Sequence, residues 1–135
     1  MKNFLSSLGC ALFLLSPSVG QAFTLANGVQ VNAVSDTVFE VVPRSSGTVE
    51  EFWCGASEYA RRVLGADWRD PIYVLRGRGE SVTTGKRSAV QFTLSADQVA
   101  GLGTDRGWFT FGIRPGDSMS VQQARTYCNQ RPIRP

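Results

Sequence analysis

The chain has 135 residues, with 14 Lys and Arg against 11 Asp and Glu, a net charge of +3, three cysteines and no histidine. So mild a balance lacks the dense basic face that nucleic acid selects, and the missing histidine removes the commonest general base and metal ligand. No nucleic-acid partner, no metal and no other cofactor is expected. The cations are nearly all arginine, which suits fixed, bidentate contacts with an anionic ligand.

Lys2, the apolar run from Phe4 to Leu15, then Ser16, Pro17 and small residues to Ala22 read as a secretory signal peptide over residues 1–22. A membrane anchor needs about 20 apolar residues, more than this run supplies. A lipidated cysteine should follow the apolar region, whereas Ala11 to Leu15 continue it beyond Cys10, so Cys10 is expected to leave with the signal. The expected exported chain, residues 23–135, is one domain, periplasmic or secreted, with no membrane span. It keeps Cys54 and Cys128, a pair that an oxidising compartment should bond.

After the Asn27-Gly28 turn signal, Val29, Val31 and Ala33 alternate with polar residues as a half-buried strand does. Thr37 to Val42 is rich in β-branched residues, so the two runs predict a hairpin closed by Pro43. From Thr48 to Gly65 the residues Val49, Phe52, Trp53, Ala56, Ala60, Val63 and Leu64 fall on one stripe of a helix. Thr48 with Glu51 fits a capping box, and Gly65 a left-handed stop. Cys54 lies about 140° from the centre of that stripe, so its partner must approach over the side of the helix.

Trp68 sits in a loop, and Pro71 to Arg76 predicts a strand. From Gly77 to Ser88 the composition turns to Gly, Ser, Thr and basic residues, which predicts an exposed loop or a hairpin with a mobile tip. Val90, Phe92 and Leu94 resume a strand, and Ser95 to Gln98 suit a single helical turn. Trp108 to Phe111 reads as a last strand. Ser120 and Gln123 then start a second helix, on which Val121, Ala124 and Cys128 share the face that meets Cys54. The order predicts an α+β fold, an antiparallel sheet of about four to five strands packed against two helices and stapled by one disulfide.

Arg76-Gly77-Arg78-Gly79 with Lys86-Arg87 holds the ingredients of an anion site, since glycine admits backbone N–H groups and arginine supplies a planar fork. The plainer alternative is a solvated basic hairpin tip. A P-loop is excluded, because five residues separate Gly79 from Gly85 and Arg87 stands where Ser or Thr is required. Glu50, Glu51, Glu58, Asp67, Asp70 and Glu80 form a pool from which a hydrolase could draw two carboxylates, but their spacing selects no pair. Ser-Lys catalysis would need Lys86, which reads as exposed beside Ser81 and Ser88, and no Gly-x-Ser-x-Gly elbow occurs. Of three tryptophans, Trp53 and Trp108 fall on core positions. Trp68 is left as a sugar-stacking candidate or a plug beneath its loop.

Phe52-Trp53-Cys54-Gly55-Ala56, the segment Pro71-Ile72-Tyr73-Val74-Leu75-Arg76-Gly77 and Phe92-Thr93-Leu94 resemble small exported proteins of alphaproteobacteria. That resemblance implies a periplasmic address and no activity. Together the residues point to a non-catalytic exported domain that recognises an anionic ligand or another periplasmic protein through Arg76, Arg78, Lys86 and Arg87, with Trp68 as an aromatic neighbour. The alternatives are a small cell-wall or polysaccharide hydrolase and a structural or inhibitor subunit.

Overall fold

The computed structural model describes residues 23–102 and 113–129. The expected signal peptide, the expected strand at Trp108 to Phe111 and the last six residues lie outside them. Among the described residues six strands form one antiparallel sheet: β1 Phe23–Thr24, β2 Gln30–Ala33, β3 Val38–Val42, β4 Pro71–Gly79, β5 Ala89–Thr93 and β6 Ser118–Ser120, in the order β1-β2-β3-β5-β4-β6. The fold is α+β as expected, with one strand beyond the upper expected number. The short edge strands β1 and β6 carry too few residues to show an alternation and escaped the sequence reading.

The helix α1, Val49–Arg62, lies across one face of the sheet, with Thr48 Oγ1 accepting from Glu51 N at 3.1 Å to cap it. The Glu51 carboxylate meets the Thr48 hydroxyl rather than the backbone N–H, so the capping box is half closed. Phe52, Trp53, Ala56 and Ala60 are buried against Val31, Phe39, Val41, Val74, Val90 and Phe92. Trp53 meets Phe92 edge-on at 5.2 Å between ring centres. The stripe departs from expectation at its end. The helix stops at Arg62, Val63 and Leu64 are 49 % and 42 % exposed, and Tyr59 takes the inner position, its ring centre 4.7 Å from that of Phe39 with the planes tilted by 34°. Gly65 takes φ +70° as the left-handed stop requires, and Ala66 N returns to Ala60 O at 2.9 Å.

After the one-turn helix α2, Ala96–Val99, the described chain resumes at Ile113, and Asp117 and Gly116 bond across to Val74 before β6. The expected second helix is shorter than its periodicity implied. Here α3 spans Val121–Arg125, capped by Ser120 Oγ from Gln123 N at 3.1 Å, and a 3-10 turn, Thr126–Asn129, carries Cys128. Cys54 and Cys128 are bonded, with Cα atoms 4.9 Å apart, which clamps the 3-10 turn onto the flank of α1. None of the described helices is long and apolar enough to cross a membrane.

The strand β4 is the main correction. It continues to Gly79 rather than ending at Arg76, and its pairing with β5 slips between Val74 and Arg76 and again between Arg76 and Gly79. Each slip leaves an extra residue on β4, and such bulges bend a strand and sharpen its twist. Glycine inside a strand marks them, and a Cβ on Gly77 would lie 2.9 Å from the carbonyl oxygen of Ile113. The Gly-Arg alternation that resembles a loop is therefore a bulged strand. Its bend carries the β4–β5 hairpin tip back over the sheet face opposite α1.

Candidate functional site: a basic hairpin anchored on a buried carboxylate

Every residue of β3 is buried. Phe39 and Val41 face α1, so Val38, Glu40 and Val42 face the other way, beneath the returning hairpin. Glu40 accepts hydrogen bonds from the Ser81 and Thr83 hydroxyls and from the backbone N–H groups of Val82, at 3.1 Å, and Thr83, at 2.9 Å. Asn32 Nδ2 donates to Thr83 Oγ1 at 2.9 Å, and Thr84 N and its hydroxyl donate to Ser81 Oγ at 2.9 and 2.8 Å. Burial alone would raise the Glu40 pKa. The four donors outweigh it and hold the carboxyl below its ordinary value of 4.5, so Glu40 is an anion in its folded setting. The turn closes on itself through Ser81 N to Lys86 O at 2.8 Å and Gly85 N to Ser81 O at 3.0 Å, with Gly85 at φ +78°. The hairpin is thus tied down at its tip, not merely at its strands.

The four basic residues of the expected site divide into two roles. Arg76 Nη2 donates to Glu80 O at 2.8 Å and to Ala89 O at 3.4 Å, which laces the base of the hairpin. Arg78 Nη1 donates to Ser46 O and Gly47 O at 3.1 and 3.2 Å, and its guanidinium carbon lies 5.0 Å from the centre of the Phe52 ring. Ser88 Oγ also donates to Ser46 O, at 2.8 Å, so the hairpin is fastened to the segment that enters α1. Lys86 and Arg87 are exposed on the tip, as is Val82 at 61 %.

Trp68 is not their neighbour. It precedes Pro71 at the start of β4, whereas Gly79 ends that strand, a run of about 25 Å at the usual rise. The ring instead faces Arg61, whose guanidinium carbon is 4.0 Å from its centre, and Arg125 at 5.7 Å. It is 40 % exposed, so it is no plug beneath the loop.

Of the carboxylate pool, Glu58 is buried between Arg62 Nε at 3.0 Å and Arg125 Nε at 2.8 Å. The second contact is a close ion pair whose N–H···O alignment falls short of a hydrogen bond. Asp70 Oδ2 accepts from Asp67 N at 2.9 Å and shapes the Trp68 loop. Glu40, the carboxylate with the most unusual surroundings, was not in that pool. Its signal was a lone acid among Val38, Phe39, Val41 and Val42, which a burial argument could have paired with the hydroxyl run Ser81 to Thr84. Among the described residues no group of three or more Cys, Asp or Glu side chains is placed to hold a metal ion. No protein-family model, curated protein or solved structure matches the chain, so its functional reading rests on this geometry.

Proposed function

We propose that the chain is a non-catalytic binding domain of the periplasm or extracellular space that recognises an anionic ligand or partner through the tip of the β4–β5 hairpin. One observation carries the reading. The buried Glu40 carboxylate fixes the turn from Ser81 to Thr83, so Lys86 and Arg87 are held out on a loop already ordered before binding. Preorganisation removes part of the ordering cost that a flexible basic loop incurs. Arg76 and Arg78 serve as fasteners of that loop, and the side chains of Lys86 and Arg87 make the contact, since the backbone N–H groups from Ser81 to Lys86 are already engaged within the hairpin. Export is supported by the apolar N-terminal run and by the Cys54–Cys128 bond, which oxidising compartments preserve.

The hydrolase reading draws less support. Glu58 is held between two arginines and Asp70 is engaged in its own loop, whereas glycoside hydrolysis requires one carboxyl kept protonated opposite a second. A thermal-shift panel with polyphosphate, a sulfated glycan, a neutral glycan and peptidoglycan fragments, at low and moderate salt, tests the proposal. Stabilisation by the polyanions that weakens with salt and disappears in the Lys86→Ala/Arg87→Ala double variant supports it. A polyphosphate shift that survives the double variant overturns it, and no shift with any of these ligands directs the search to a protein partner.

A further inference from the structure

The opposite end of β4 carries a second constellation that the hairpin does not explain. Trp68 lies in a loop with its backbone fixed on both sides: Gln122 N donates to Trp68 O at 2.9 Å, Val121 N to Asp70 O at 2.9 Å and Asp70 N to Asp67 O at 3.0 Å. The exposed ring is therefore held in place by α3 and by its own turn. Arg61 stacks on it at 4.0 Å from α1, and Arg125 approaches at 5.7 Å from α3. Beside it an open trough of about 500 Å³ is lined by Trp68, Arg69, Gln122 and Arg125, within the range of small-ligand clefts, about 300–1,000 Å³. Arg125 uses Nε on Glu58 and Arg69 is exposed, so the trough joins a flat apolar surface, guanidinium groups and one amide.

A simple inorganic anion would have no use for the indole, and an apolar ligand would leave the exposed Arg69 guanidinium unused. A pyranose with an acidic substituent meets both, its C–H groups against the indole surface that Arg61 leaves exposed, its carboxylate against a guanidinium fork and a hydroxyl against the Gln122 amide. The trough is bounded by only four side chains, which suits a ligand that runs on beyond it, as a glycan chain does. We infer that the Trp68–Arg69–Gln122–Arg125 trough is a binding site for an acidic saccharide, separate from the hairpin tip.

Titration of the protein with trigalacturonate, cellotriose and uridine monophosphate, followed by calorimetry, tests this. Trigalacturonate is expected to bind, cellotriose about tenfold or more weakly, and both Trp68→Ala and Arg69→Ala to weaken trigalacturonate by about tenfold. Arg69 is exposed, so its variant separates loss of the ligand contact from loss of the loop. The Lys86→Ala/Arg87→Ala variant should bind trigalacturonate as the unaltered protein does, so this site and the hairpin can fail independently. Equal binding of the neutral and acidic sugars, tighter binding of the nucleotide, absence of trigalacturonate binding, or affinity unchanged in both single variants would each overturn the inference.

Discussion

Glu40 and Ser81 are 41 residues apart, and the hydrogen bond between their side chains joins a central, fully buried strand to the tip of the most polar segment of the chain. The bond reverses the usual relation between core and loop, because the tip supplies the donors that make a buried carboxylate tolerable. The carboxylate in turn sets the shape of the tip.

Glu40→Gln should therefore disturb the tip as well as the stability. The amide replaces one acceptor oxygen by a donor facing hydroxyl and N–H donors, at a cost of about 1–3 kcal/mol. In chemical denaturation this appears as a lower midpoint with little change in slope. Amide exchange should accelerate first at Val82 and Thr83. Unchanged exchange at those two amides would contradict the anchoring role.

The same group sets an acid limb. The folded Glu40 pKa lies below its ordinary value of 4.5, so its contribution is present above that value and is lost as pH falls through the lower, folded one. Below 4.5 the unfolded carboxyl takes up a proton that the folded one refuses, and stability declines until the folded group protonates as well. Melting temperatures recorded downward from neutral pH should fall less steeply in this window for Glu40→Gln than for the unaltered protein. Parallel curves would count against the assignment.

Gly55 gives a packing test. A Cβ there would lie 2.8 Å from Val41 Cγ1, 3.4 Å from Val29 Cγ1 and 3.5 Å from Val31 Cγ2. Alanine raises helix propensity by about 1 kcal/mol, but the clash at the helix–sheet contact costs about 1–3 kcal/mol. Gly55→Ala is expected to melt at a lower temperature than the unaltered protein. A higher one would show that the sheet gives way easily under α1.

The Cys54–Cys128 bond closes a separation of 74 residues, worth about 4 kcal/mol in the chain-entropy model. Because it clamps the 3-10 turn to α1, Cys54→Ala should expose the amides of residues 121–129 to exchange before those of the sheet. Uniform acceleration throughout would indicate that the bond supports the whole fold. Arg125 belongs to α3, so reduction should also weaken any ligand held in the Trp68 trough.

Much of this was legible in the residues, for reasons that differ by element. The α1 stripe, its Thr48 cap and its Gly65 stop follow from local rules of spacing and backbone conformation. The cysteine pairing followed from compartment and count. The β4 extension did not, because glycine signals a loop and a strand bulge equally well, and only the partner strand decides. Val63 and Leu64 continue the apolar period past the point where the helix ends, and periodicity alone carries no stop. The separation of Trp68 from the basic hairpin was hidden for a similar reason. Few residues divide them in the sequence, but a strand extends about 3.3 Å per residue and sends its two ends to opposite sides of the domain.

The central claim is that an ordered hairpin tip recognises an anion through Lys86 and Arg87. Its most direct measurement is the dissociation constant for polyphosphate over a salt series, in the unaltered protein, in Lys86→Ala/Arg87→Ala and in Glu40→Gln. Saturable binding that weakens with salt is predicted, with a much flatter salt dependence and lower affinity in the double variant. Glu40→Gln should bind more weakly despite retaining both cations, because its tip is no longer held. Equal affinities and equal salt dependences in all three proteins would contradict the claim.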